Sequence, residues 1–471
     1  MRRHHDPRTH STPVHRPAAT RLGLGLATAF MIGACGRGPA ASPPSTAAAE
    51  ITESLGCVQS EQGGCLPTAP QSARVDLAPP SFSDPTHVTN PLHPSSQLHS
   101  ALLLGRAGGR PFRVEVTLLP GAKTIEWNGQ PVETLESQYV AFLDGRIHEV
   151  ALDWYAQADD GSVWYFGEDV FNYEDGVVAD THGTWLAGRD GPPAMIMPAN
   201  PQVGDVYRPE NIPGLVFEEV TVQSIDVTVD GPRGPVHGAI VVQELHMDGA
   251  YEDKTFAPGY GEFSTGSGDN LEALALGVPT DALPGPVPAE LATLLSGAVA
   301  IFDAAPANDW PAASVTLGTM TTAWDAYRAG GAPPMLDAQM SAALDALSRA
   351  VDARNPSQAR QAALDIAQAS LDFQLRHRPP AEIDLARFDL WAHQLLVDAE
   401  ADDPGAVSGD VATLEWMRDR FAHTLGSADT GQVDALLGEL RAAAADTEDL
   451  AAVTAAAVRL RDLLARLVLA G

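Results

Sequence analysis

Apolar and polar residues alternate along the chain from about residue 98 to 276, and beyond residue 289 the period becomes that of a helix. Alternation marks half-buried strands, because successive side chains point to opposite faces of a sheet. It is clearest in FRVEVTLL, RIHEVALDWYAQA, SVWYFGEDVFNY, VVADTHGTWLA, VFEEVTVQSIDVTV, HGAIVVQELHM and DKTFAPGYGEF. Asp-Gly pairs begin at 144, 160, 175 and 190. Each predicts a hairpin turn, since Gly accepts a positive φ and Asp tolerates one. The pattern predicts an antiparallel meander over 79–276, formed as a curled sheet or half-barrel.

GVPTDALPGPVP at 277–288 reads as a proline-rich linker. After it, apolar residues recur at helical spacing: Leu317, Met320, Trp324 and Tyr327, then Leu336, Met340, Leu344, Leu347 and Val351, and later Leu450, Val453, Ala457, Leu460, Leu464 and Leu467. Asn355-Pro356 and Asp403-Pro404 each place a capping side chain before a proline suited to the first turn. Similar helix starts near 308, 354, 402 and 447 lie about 46 residues apart and predict four helical hairpins from an internal duplication. Such hairpins stack either as a short solenoid or as two four-helix bundles. The fold class expected is therefore α+β and multidomain, an antiparallel β-meander followed by an all-α helical-hairpin repeat domain over 289–471.

Ahead of the sheet, LGLGLATAFMIGAC at 22–35 is an apolar run behind an arginine-bearing leader, the layout of a secretory signal and too short to span a bilayer. Ile32-Gly33-Ala34-Cys35 resembles the bacterial lipobox, which implies cleavage after residue 34 and acylation of Cys35. The membrane is then one partner, reached through the N-terminal lipid, and the expected location is the cell envelope, periplasmic or on the outer surface. Residues 35–78, rich in Ala, Pro, Ser and Thr, read as a lipidated tether. Within it Cys57 and Cys65 bound a short loop, and in an oxidising compartment such a pair favours a disulfide. The chain carries 29 basic and 61 acidic side chains, a net charge of −32, which excludes nucleic acid as a partner.

Neighbouring aromatics such as Trp154-Tyr155 and Trp164-Tyr165-Phe166, with Trp185 nearby, put aromatic surface on both faces of the sheet. One face then needs a cover, a helical layer or an apolar ligand. In the helical part, Asp389 and His393 stand one turn apart, and Glu415, Asp419 and His423 share a helix face. Asp389 and His393 read as a structural pair and Glu415, Asp419 and His423 as a solvated flank, or all five as ligands of a divalent metal. No cofactor is otherwise called for, and no GxSxG, P-loop, GxGxxG or HExxH motif assigns a catalytic residue.

DWYAQADDGSVWYFGED at 153–169, GTWLAGRDGPPAMIMPANPQVGDVYR at 183–208 and YEDKTFAPGYGEF at 251–263 resemble a family of uncharacterised bacterial exported proteins. The resemblance implies export and carries no activity with it. The functional expectation is a binding or interaction module for an envelope protein or an apolar small molecule. The alternative is a metal-binding sensor or metal-dependent enzyme built on the Asp, Glu and His residues of the helical domain.

Overall fold

The computed structural model describes residues 57–445 and 450–467; the leader, the lipobox and Cys35 lie outside the described residues. One 14-stranded antiparallel sheet fills the first part. Its central strands are β1 (Ser100–Ala107) and, from the other end of the sheet segment, β14 (Asn270–Val278). On one side of β1 follow β2 (Arg110–Trp127), β3 (Gln130–Leu143), β4 (Arg146–Gln157), β5 (Val163–Glu174) and β6 (Val177–Asp180). Two short strands, β7 (Trp185–Leu186) and β8 (Ala194–Met197), also pair with β5. On the other side of β14 lie β13 (Gly261–Ser267), β12 (Tyr251–Ala257), β11 (Gly234–His246), β10 (Val216–Gly231) and β9 (Val206–Ile212).

The sheet curls without closing. Its two arms meet through side chains: the Trp185 ring stands edge-on to Tyr165 of β5 at 5.4 Å, and its indole N–H donates to Glu210 of β9 at 3.2 Å. Asp144-Gly145 and Asp175-Gly176 adopt positive φ at both residues and form the two-residue hairpin turns β3–β4 and β5–β6. The other two Asp-Gly pairs do not. Asp160 holds a longer loop by accepting from the Ser162 N–H, and Asp190 accepts from the Leu186 N–H within the β7–β8 connection. VVADTHGTWLA, expected as one strand, breaks between β6 and β7.

Two stretches expected to be loose are packed. Val58 and Leu66 share a buried cluster with Phe217 and Leu245, and Cys57 and Cys65 form a disulfide. Val75 N–H donates to the Val206 carbonyl at 2.9 Å, covering the otherwise bare edge of β9. In the proline-rich connection the fully buried Asp281 accepts from the Tyr260 hydroxyl at 2.8 Å and the Gly277 N–H at 2.9 Å.

The helices are α1 (Ala289–Ala304), α2 (Trp310–Arg328), α3 (Pro334–Asp352), α4 (Pro356–Gln374), α5 (Pro380–Glu400), α6 (Pro404–Phe421), α7 (Ser427–Ala444) and α8 (Leu450–Leu464). Asn355 and Asp403 cap α4 and α6 by accepting from the N–H groups of Gln358 and Ala406. Each odd-numbered helix packs on the next, α1 also packs on α4 and α5 on α8, so the repeat closes into two four-helix bundles joined by α4 against α5. One bundle shares its core with the sheet residues Leu102, Leu276 and Val278. The other meets β3 and β5: Trp391 stacks on Phe142 at 5.2 Å, and the Trp416 indole N–H donates to the Tyr173 hydroxyl at 2.8 Å. At Gly176 a Cβ would overlap the Gly405 carbonyl oxygen, so this turn accepts no side chain where it meets α6.

Between sheet and bundles lies a buried ionic network. Arg113 of β2 makes two bonds of 2.8 Å to Asp372 of α4, and also holds Glu115 at 2.6 Å. Arg387 of α5 reaches Asp372 at 2.7 Å and Asp384 at 3.3 Å. Arg420 of α6 donates to Glu115 at 2.5 Å and to Gln138 of β3 at 2.6 Å. Burial works to raise the Glu115 carboxyl, but the guanidinium groups of Arg387, Arg113 and Arg420 overcome it and hold it well below the ordinary carboxylate range.

Removing one member strands the others. Arg387→Met is expected to cost about 3 to 5 kcal/mol in urea unfolding, the range for breaking a buried pair from one side. Because the network joins both parts, hydrogen exchange in urea should lose protection in sheet and helix peptides at one midpoint. Two separate midpoints would show that the interface does not couple them.

Candidate functional site

The inward face of the curled sheet lines a partly open cavity of about 150 Å³, bounded by residues of both arms and, at one side, by His93, Pro94, Ser95 and Leu98 from the segment before β1. Strand alternation explains how acids arrive there. Asp153 sits between the inward-facing Ala151 and Tyr155, Glu244 follows Ile240 and Val242 at period two, and Glu272 precedes Leu274 in the same way. Each occupies the apolar phase of its strand.

Three groups of side chains give the cavity its chemistry. Where the arms meet, the Tyr165 hydroxyl donates to Asp153 at 2.6 Å, its ring stacks on Tyr155 at 4.9 Å, and the Glu168 and Glu210 carboxyls share a hydrogen bond. On β13 and β14, Glu262 accepts from the Thr265 hydroxyl at 2.5 Å, while Glu272 Oε1 is buried with no hydrogen-bond partner. Between them Lys254 lies 2.5 Å from Glu244, and His246 stands between Glu218 at 3.3 Å and Glu252 at 3.7 Å. The hydroxyl of the fully buried Tyr207 also lines the cavity without a partner.

Burial governs the titration of these groups. It pushes Asp153 up to about 7 against the bond from Tyr165, and Glu244 up to about 7 with Glu218 adding repulsion. Glu168, Glu210 and Glu272 go well above the ordinary carboxylate range for the same reason, helped by neighbouring carboxyls. Around His246 burial is overcome instead: the bonds to Glu218 and Glu252 raise the imidazole to about 10, and Glu218 is lowered to about 2. The internal cations are therefore already engaged, while much of the acidic lining is held protonated.

Of the aromatic residues singled out in the sequence, Tyr155 and Tyr165 line the cavity. Trp154 points away, covered by Lys123, whose Nζ lies 3.0 Å from the ring centre, and its indole N–H donates to Glu136. The Trp164 indole N–H donates to Ser162, Phe166 packs against Phe82, and Trp185 stands behind Tyr165. The candidate metal residues of the helical part do not converge as a set, although His393 Nδ1 lies 3.5 Å from the Asp389 carboxylate, as expected of a structural pair. His393 Nδ1 donates to the Asp389 carbonyl at 2.8 Å, Glu415 pairs with Arg441, Asp419 pairs with Arg418, and His423 sits in the turn after α6. Burial lowers His393 and so favours the neutral ring. Among the described residues, the group whose ligand atoms lie within 4.8 Å of one another is Glu218, Glu244 and His246. The sequence carries a signal for it, a carboxylate on the apolar phase of an alternating strand, separate from its aromatic and helical motifs.

The Asp153 shift has a definite consequence for stability. Its folded value of about 7 exceeds the unfolded one, so the fold holds the proton more tightly. The contribution is complete below the unfolded value, near about 4, and is lost as pH rises through about 7. Asp153→Asn keeps an acceptor for Tyr165 and removes the titration. In ligand-free buffer the variant's unfolding free energy, relative to wild type, should rise between pH 5 and pH 7, and a difference independent of pH would refute the assignment. Compared with family models, curated proteins and solved structures, the chain matches none.

Proposed function

We propose that this protein is a binding module of the bacterial cell envelope, anchored by a lipid on Cys35, that holds a small molecule inside its curled sheet. One observation carries the binding reading: the Tyr207 hydroxyl and Glu272 Oε1 face a cavity and have no protein partner. Buried polar groups left unsatisfied cost about 1 to 3 kcal/mol each, so a ligand that satisfies them gains what the empty protein lacks. The lipobox-like residues and the resemblance to exported proteins support the envelope location.

A divalent cation at Glu218, Glu244 and His246 is a second reading, favoured by their convergence. The Lys254 ammonium on Glu244 counts against it, since a metal would have to displace that charge. Mg²⁺, Mn²⁺ or Zn²⁺ raising the melting temperature, with reversal by chelator, would select the metal; unchanged melting would remove it.

Two outcomes test the main reading. Native mass spectrometry of the purified chain should detect a small-molecule adduct that Tyr207→Phe weakens, and a bare mass throughout refutes retention of a ligand. Cys35→Ser should move the protein from the membrane to the soluble fraction and remove the lipid mass. Unchanged fractionation of the variant would refute the anchor.

A further inference from the structure

Resting on the reading of the sheet interior as a ligand seat, we infer that its ligand is a small linear diamine, protonated at both ends. Five of the cavity carboxyls, Asp153, Glu168, Glu210, Glu262 and Glu272, have no Lys, Arg or His within ion-pair distance among the described residues. Lys254 and His246 are taken by Glu244, Glu218 and Glu252. The cavity therefore has acceptors in excess and no free cation, the inverse of what an anionic ligand needs.

These five acids fall toward two ends of the cavity, with Glu149 lining it near both Glu168 and Glu272, and that spread calls for more than one positive charge. Asp153, Glu168 and Glu210 lie where β4, β5 and β9 meet, and Glu262 and Glu272 lie on β13 and β14. Strands β1 to β3 separate the groups along one wall and β10 to β12 along the other. Tyr139, Tyr155, Tyr165 and Tyr207 supply ring faces and hydroxyls in the same cavity. Aromatic faces attract cations, and the N–H donors of an ammonium would satisfy the Glu272 oxygen and the Tyr207 hydroxyl. A cavity of 150 Å³ is the size that accepts a molecule of about six non-hydrogen atoms, as benzene does. An alkyl diamine of four carbons has that size. The protons held by the acidic lining leave to water as the ammonium groups replace them.

A metal ion fits this lining less well, because its ligands must converge within bonding distance of one point. The one place of convergence holds Lys254 and His246 already. The separated acidic groups match an extended cation.

Calorimetric titration of the full chain with putrescine, with butanediol as its neutral counterpart and with tetramethylammonium, tests the inference. Putrescine should bind at least about tenfold more tightly than either comparison compound, since the diol lacks charge and tetramethylammonium lacks N–H donors and a second charge. Glu272→Gln should weaken putrescine about tenfold or more, and Tyr207→Phe, which is isosteric and leaves the charges intact, should weaken it several-fold. Butanediol or tetramethylammonium binding as tightly as putrescine overturns the diamine. So does a complete failure of putrescine to bind. If that failure comes with a neutral adduct in native mass spectrometry, the sheet interior remains a ligand seat and only the ligand class falls; with a bare mass, both readings fall.

Discussion

The guanidinium and carboxylate network under α4, α5 and α6 is the constraint on which the arrangement of the molecule depends. Three arginines, Arg113, Arg387 and Arg420, meet three acids, Glu115, Asp372 and Asp384, so the buried set is electrically balanced. Removing such charges from water is expensive, and the attraction offsets that cost only with good geometry and full hydrogen bonding. The bidentate pair of Arg113 with Asp372 and the amide of Gln138 on Arg420 supply much of this, while Arg387 Nε and Arg420 Nη2 stay buried without a partner. Because the partners come from β2, β3, α4, α5 and α6, the bonds form together only when the two bundles sit in one register on the sheet.

That register decides which face of the sheet is free to enclose something. On β2, Arg113 and Glu115 point to the helices while Val114 and Val116 point inward. On β3, Phe142 stacks on Trp391 while Tyr139 lines the cavity. With the outer face of these strands covered by helices, the inner face curls around its own side chains. Both faces carry buried charge, but they treat it oppositely. Outside, acids and bases neutralise one another; inside, acids outnumber bases, and burial favours the neutral form of those without a cation, such as Glu168 and Glu272.

Period and punctuation made much of the fold legible. Strands with one inward and one outward face, such as FRVEVTLL, alternate cleanly, and the helix starts at Asn355 and Asp403 are marked by side chains that do cap. The third strand, QPVETLESQYVAFL, carries no clear period because its last residues are buried on both faces, by the cavity and by the helices, which erases alternation. The packed connection around Asp281 was hidden by its prolines, since the bond from Tyr260 is tertiary. Tyr155 and Tyr165 pointed to the site, but their adjacent tryptophans, on the opposite face, overstated its apolar character. Asp384 and Arg387 stand three residues apart on α5, whereas Glu115 as their partner follows only from the packing of α5 on the sheet. The acidic interior required the curl itself, since Glu168 and Glu210 come together from opposite arms.

The sequence has two lysines, and the fold sequesters both to different degrees: Lys123 lies over the Trp154 ring and Lys254 is buried beside Glu244. Every other cationic side chain that does not depend on histidine protonation is an arginine. Amine chemistry is thereby separated from the surface. Acylating reagents meet one partly accessible ε-amino group and one buried inside the sheet, so the rate at which Lys254 is modified reports how freely solutes reach the sheet interior. The protein carries its own reporter of access to its cavity.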